Sequence, residues 1–264
     1  MEQKIINTII NDKWENAITL LPDNYVDIII TSPPYNVNLG KNKHKKDTYD
    51  NYEDNMPYNE YLEWMDLLFS QCYRVLKPGA RICVNIGDGC NGSVPTHADF
   101  TVRMRDKHGF KMMTTIVWDK GQIGSRTAWG SYMSPSQPSF PTPFEFIIVM
   151  AKETLKHEGD KSNITVSGKE FQDNSISLWK IKPETQMMSK YGHPAMFPEN
   201  LVRKLLQQLT YADDIVLDPF SGCGTTCAVA KMLKRRYIGF EMSQRYWETS
   251  LRRLDECNSL FENL

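Results

Sequence analysis

The sequence predicts an α/β fold, a mostly parallel twisted sheet with helices on both faces, from three observations. Strand-like and helical periods alternate through most of the 264 residues. Val26 to Ile30 reads Val-Asp-Ile-Ile-Ile, an apolar run suited to a buried parallel strand. Ile215-Val216-Leu217 and Tyr237-Ile238-Gly239-Phe240 bracket a helical stretch from Thr225 to Leu233.

Each element has its own signal. Residues 4–10, Lys-Ile-Ile-Asn-Thr-Ile-Ile, read as a short β-branched strand. Trp14, Ala17, Ile18, Leu20 and Leu21 mark a short amphipathic helix over 13–21, closed by Pro22-Asp23-Asn24. The strand at Val26–Ile30 stops at Thr31-Ser32-Pro33-Pro34, because proline cannot donate to a sheet ladder. Residues 36–56 are polar and read as a loop. Tyr58 to Leu76 has helical spacing, and Lys77-Pro78-Gly79 ends it before a strand from Ala80 to Ile86. Thr96 to His108 is helical and closes at Gly109, and strands follow at 113–119 and 144–151. Residues 121–143 are rich in Gly, Ser and Pro, and 153–178 are polar and irregular. An amphipathic helix at Pro198–Leu209 precedes the last two strands, and a final helix runs from 244 to 257.

Composition narrows the class. The length suits one α/β domain, residues 1–264, with substrate-reading insertions within 36–56, 121–143 and 153–190. No apolar run approaches a membrane span, and no signal-peptide pattern opens the chain, so a cytoplasmic location is expected. The net charge of −1 means that any nucleic-acid surface must be a local basic patch. The six cysteines read as reduced thiols, and Cys223 and Cys227 as small buried residues, since no second ligand pair completes a zinc site. His44, His97, His108, His157 and His193 show no metal-ligand spacing, and no metal is expected. Trp179 reads as core, and Arg252-Arg253 with Asp255-Glu256 as an exposed helix face.

Two motifs carry chemistry. In Asp218-Pro219-Phe220-Ser221-Gly222-Cys223-Gly224-Thr225-Thr226, glycines permit a tight turn and close approach of backbone to a ligand. The helix after it offers unpaired N–H groups and a positive dipole end, where the carboxylate of S-adenosylmethionine can sit. Glu241 ends the next strand, where an acid can accept both hydroxyls of a ribose. No Gly-Lys-Ser/Thr follows, which argues against a P-loop, and the missing third glycine argues against a dinucleotide.

The second motif is Thr31-Ser32-Pro33-Pro34-Tyr35 at a strand's carboxyl end, where open α/β sheets place their ligands. An exocyclic amino group on a base is a poor nucleophile because its lone pair is delocalised into the ring. Ser32 and the Pro33 carbonyl can accept its two N–H bonds and turn the nitrogen towards tetrahedral geometry. Pro33 and Pro34 stiffen the segment so that the acceptors are preset, and Tyr35 can stack on the flat ring of a base taken out of the duplex.

These two motifs together resemble the amino-group DNA methyltransferases that act on cytosine N4 or adenine N6. The order, catalytic motif first and cofactor motif last, is similar to their circularly permuted β group. Asn11-Asp12, Leu21-Pro22-Asp23-Asn24, Arg74-Val75-Leu76-Lys77-Pro78-Gly79 and His193-Pro194-Ala195-Met196-Phe197-Pro198 extend the resemblance along most of the chain. It implies a Rossmann-like sheet with one antiparallel edge hairpin, and S-adenosyl-L-methionine as the cofactor. By the same resemblance, Phe220, Gly222 and Gly224 line the methionine and adenosine side, with Asp218 near the amino group. Glu241 holds the ribose, Asp12 contacts the adenine region, and His193, Pro194 and Phe197 border the cofactor. Thr31, Pro219, Thr225 and Thr226 complete its surroundings, while Ser32, Pro33, Pro34 and Tyr35 hold the target base. Serine at the first motif position is the family's association with cytosine N4, and aspartate with adenine N6. Cytosine C5 chemistry is excluded, because it needs a cysteine nucleophile and none occurs near residues 31–36.

The expected partner is double-stranded DNA. Lys41, Lys43, Lys45 and Lys46 can grip phosphates, and Arg126, Trp129 and Tyr132 can read or stack bases or else pack on the sheet. A restriction endonuclease is a plausible companion, no membrane partner is expected, and the oligomeric state is open.

Overall fold

The computed structural model describes residues 5–36, 55–89, 92–121, 130–184, 190–192 and 196–261. Eight strands form one sheet: β1 (Thr8–Ile10), β2 (Val26–Thr31), β3 (Leu76–Ile86), β4 (Lys111–Asp119), β5 (Phe144–Ala151), β6 (Leu178–Lys180), β7 (Ile215–Asp218) and β8 (Arg236–Phe240). Their order is β1-β8-β7-β2-β3-β5-β4-β6. Every pairing is parallel except those made by β5, which runs antiparallel to both β3 and β4. The hairpin β4–β5 is therefore present, but it is not at the sheet edge as expected, because β6 pairs parallel with β4 outside it.

The apolar runs bury both faces, as their composition requires. In β2 every residue is buried, and its side chains alternate between two cores. Ile29 joins Ile82, Val84 and Leu217 under α1 (Trp14–Ala17), α2 (Tyr58–Val75) and α3 (Thr96–Val102). Ile28 and Ile30 join Cys83, Val149 and Val216 under α5 (Glu199–Leu209), α6 (Thr225–Met232) and α7 (Gln244–Phe261). Each such isoleucine contributes about 2 kcal/mol by leaving water. Helices thus cover both faces, as in a doubly wound, Rossmann-like sheet.

Some boundaries differ from the sequence reading. β1 begins only at Thr8, because Asn7 adopts φ 61. No break separates α2 from β3. The strand starts at Leu76, and Lys77-Pro78-Gly79 is absorbed where the register jumps from Val26↔Leu76 to Ile28↔Arg81. The irregular 153–178 stretch holds a helix, α4 (Gly168–Asn174), started by a capping box in which Ser167 and Glu170 bond each other's backbone amides. Arg253 is buried, not on an exposed face. Trp179, Cys223 and Cys227 are core residues as expected.

Topology decides which loops can meet. Residues 32–57, 87–95 and 120–143 leave from the carboxyl ends of β2, β3 and β4, all at one rim. Residues 152–177 follow the carboxyl end of antiparallel β5, so they start at the opposite rim, beside the start of β3.

Candidate active site

The two motifs end neighbouring parallel strands. β2 pairs with β7 through Ile28↔Val216 and Ile29↔Leu217, so Ser32 and Asp218-Pro219-Phe220 emerge side by side at the same rim. That is the topological requirement for one ligand to touch both.

The glycine turn is fixed by its own backbone. Phe220 N–H donates to Asp218 Oδ1 at 3.1 Å, and Gly224 N–H donates to the Ser221 carbonyl at 2.7 Å. Thr226 Oγ1 donates to Asp218 Oδ2 at 2.7 Å, tying the first turn of α6 back to β7. Burial pushes the Asp218 carboxyl from 3.8 up to about 6, against the downward pull of these bonds. Gly222 and Gly224 both take left-handed φ, 50 and 73. A Cβ on Gly224 would stand 2.9 Å from Ser250 Cβ, so only glycine fits under α7.

The acid after the turn is aimed at it. Glu241 accepts from Gly222 N–H at 2.8 Å and from Ser243 N–H at 2.8 Å, one bond to each carboxylate oxygen. These two bonds hold the carboxylate against the glycine turn. Phe220 lies edge-on to Trp64 with ring centroids 5.8 Å apart, and Trp64 bonds Glu15, three residues past Asp12. Asp12 itself accepts from Lys13 N–H and Asn16 Nδ2. Ser221 Oγ is buried with no hydrogen-bond partner among the described residues. An acid held at the rim, an aromatic wall and an orphaned buried hydroxyl fit a nucleoside bearing an amino-acid tail. Phe197 packs on the α5–α7 core, whereas His193 and Pro194 lie outside the described residues.

Arg253 was missed. Its guanidinium donates to Thr225 Oγ1 at 2.8 Å and to Glu199 Oε1 at 2.6 Å, and it stacks 5.0 Å from the Tyr191 ring centroid. It clamps the start of α6 to the start of α5. Helical spacing could have found it, since Tyr246, Ser250, Leu254 and Cys257 on the same face are all buried.

At the other motif, Thr31 and Pro33 are buried while Ser32 and Tyr35 are partly exposed. Tyr61 O–H donates to the Pro34 carbonyl at 2.7 Å, anchoring the elbow on α2. Tyr35 is held at its hydroxyl. That group lies 3.1 Å from Ser32 Oγ, 2.6 Å from Asn85 Nδ2 and 2.8 Å from Glu145 Oε2. Lys120 pairs with Glu145 Oε1. Asn85, Glu145 and Lys120 were also missed, although an acid inside the apolar run Phe144–Ala151 is itself a signal. Lys41, Lys43, Lys45, Lys46, Arg126 and Trp129 lie outside the described residues. Tyr132 is 68% exposed on the rim-side loop, so it does not pack on the sheet.

Chain spacing gave no metal cluster, but the fold gathers Asp27, His157 and Asp214 at the opposite end of the sheet. Asp27 accepts from Lys77 Nζ on one oxygen and from Ile215 N–H on the other, and Asp214 Oδ2 accepts from Tyr211 N–H and lies 2.9 Å from His157 Nε2.

Comparison with known proteins gives the family and the fold. The family described as DNA methylase (N6_N4_Mtase) matches residues 26–252. The Type II methyltransferase M.MjaVI of Methanocaldococcus jannaschii is 38% identical over 68% of this chain and 87% of its own length. The Type II methyltransferase M.BglII of Bacillus subtilis is 31% identical over 98% of this chain and 72% of its own. The fold is similar to the PvuII DNA methyltransferase, described as cytosine-N4-specific, with TM-score 0.70, 21% identity and coverage of 96% and 90% of the two chains. It is also similar to a DNA modification methylase of Thermus thermophilus, solved with S-adenosyl-L-methionine, with TM-score 0.73, 24% identity and coverage of 95% and 93%. These last two likenesses concern the fold alone.

Proposed function

The chain belongs to the DNA methylase family that modifies exocyclic amino groups with S-adenosylmethionine as methyl donor, and on that premise we propose that it methylates cytosine N4 in a base turned out of the duplex. Ser32 carries the reading. It stands at the mouth of the site, one residue past β2 and beside the glycine turn.

Ser32 Oγ and the Pro33 carbonyl accept the two N–H bonds of the target amino group, which frees the nitrogen lone pair from the ring. The elbow needs no rearrangement, because Pro33 is buried and the Pro34 carbonyl is held by Tyr61. Bound S-adenosylmethionine supplies an electrophilic methyl carbon. Glu241 holds its ribose, Phe220 its adenine wall, and Gly222 and Gly224 let the backbone approach its methionine end, with Asp12, Thr31, Asp218, Pro219, Thr225 and Thr226 around it. His193, Pro194 and Phe197 border this cradle. Holding base and cofactor in one site would remove the entropy of their encounter.

DNA reading is assigned to 36–56 and 121–143, because both loops leave the rim that holds Ser32, and to the part of 153–190 that follows β6. Lys41, Lys43, Lys45 and Lys46 take phosphates, and Arg126 and Trp129 take bases. Such an enzyme works in the cytoplasm beside the DNA it marks and protects a site from a companion restriction endonuclease. Mass spectrometry of nucleosides from unmethylated DNA treated with the protein tests the base. N4-methylcytosine is expected; N6-methyladenine alone would move the activity to adenine, whose amino group offers the same two N–H donors.

A further inference from the structure

We propose that Glu145 is a positioning residue that sets the hydrogen-bond polarity of Ser32. The inference rests on the reading above, in which Ser32 Oγ accepts from the target amino group.

A serine hydroxyl has one proton and two lone pairs, so it can meet an amino group in two ways. As an acceptor it takes an N–H and leaves the nitrogen lone pair for the methyl carbon. As a donor it bonds that lone pair and blocks the attack. Nothing in serine itself chooses between these.

The chain of bonds behind Ser32 makes the choice. A carboxylate only accepts, so Tyr35 must donate its proton to Glu145 Oε2, 2.8 Å away. The phenolic oxygen then has only lone pairs left. Asn85 Nδ2 donates to it at 2.6 Å, and the same amide nitrogen donates to Glu145 Oε2 at 2.8 Å, which fixes the amide's orientation. Ser32 Oγ, 3.1 Å from the phenol, therefore donates into the protein. Its lone pairs are left for the substrate.

The sheet explains how an acid 110 residues away reaches this point. β5 is antiparallel to β3, so its first residues lie at the rim where β3 ends, with Ile86 opposite Phe146. Glu145 sits opposite Trp118 on β4, two residues before Lys120. Its side chain is 12% exposed, so the bonds are sheltered from water.

Replacing Glu145 by Gln tests this without changing size. Lys120 demands an oxygen, so the new amide turns its NH2 towards Tyr35 and Asn85, which removes the carboxylate acceptor that takes the phenol's proton and fixes the Asn85 amide, and the polarity at Ser32 is no longer set. The full chain, with labelled S-adenosylmethionine and unmethylated genomic DNA, is expected to lose at least about tenfold in kcat for Glu145→Gln, with cofactor Kd within about twofold. In a Tyr35→Phe background, where the relay is already cut, Glu145→Gln is expected to cost less than about twofold more. Retention of more than half of kcat in Glu145→Gln, or a full multiplicative loss in the double variant, overturns the proposal. If Glu145→Gln does not fold, the paired Glu145→Met, Lys120→Met change removes acceptor and counter-charge together and carries the same expectation. Ser32→Ala separates the two levels. If it keeps full turnover, the acceptor reading of Ser32 has failed; if it abolishes turnover while Glu145→Gln does not, only the role of Glu145 has failed.

Discussion

Around the glycine turn, polar groups find partners close along the chain: Asp218 holds Thr226, 8 residues on, and Glu241 holds Gly222, 19 residues back. Around Ser32, partners arrive from much farther: Asn85 lies 50 residues from Tyr35, and Glu145 lies 110. The first half of the site is a local backbone solution, set by left-handed glycines and the start of a helix. The second exists only once β2, β3, β5 and β4 are in register. A local turn costs little loop-closure entropy, whereas a relay across four strands costs more and can be altered by changes far away in sequence.

If the cofactor half is as rigid as this contrast implies, changes there cost folding stability. The largest loss is expected for Arg253→Met, about 3 kcal/mol, because Glu199 would be left facing a buried methyl group and Thr225 would lose its donor. Chemical denaturation measures it; a loss below about 1 kcal/mol would mean that the clamp is ornamental.

The next effect depends on pH. Asp218 titrates near 6 in the folded protein and near 3.8 unfolded, so between these values only the folded state binds its proton. Its contribution to stability is fully present below about pH 4 and falls as pH rises through about 6, by on the order of 2–3 kcal/mol. Asp218→Asn is expected to remove that fall. Identical pH slopes for both proteins between about 4 and 6.5 would contradict the burial argument.

Gly224→Ala is expected to cost about 2 kcal/mol, from a left-handed alanine and a contact with Ser250 Cβ at 2.9 Å. Measured against Ser250→Gly alone, which carries its own helix cost, Gly224→Ala is expected to lose only the backbone part. An unchanged cost in that background would place all of it in the φ angle.

The same contrast explains what could be read from the sequence. Strand, glycine turn, helix, strand and terminal acid are neighbours in the chain, and the structure places them as expected. Ser-Pro-Pro-Tyr was equally legible as a strand end. Its supports were not, because no spacing links Tyr35 to Asn85 or Glu145; only the pairing of antiparallel β5 does. Arg253 was misread through its charged neighbours, when the buried period of Tyr246, Ser250, Leu254 and Cys257 includes it. The edge position of β6 was illegible for a different reason, since a three-residue strand carries almost no periodicity.

The account stands on a division of labour between two adjacent strand ends, and paired measurement of turnover and cofactor affinity in two variants tests it most directly. Ser32→Ala is predicted to lower kcat by about 100-fold or more while calorimetry shows S-adenosylmethionine affinity nearly unchanged. Gly222→Val, forced into a left-handed φ, is predicted to weaken that affinity at least about tenfold and to leave more of the turnover at saturating cofactor. Equal losses of both quantities in both variants would contradict it.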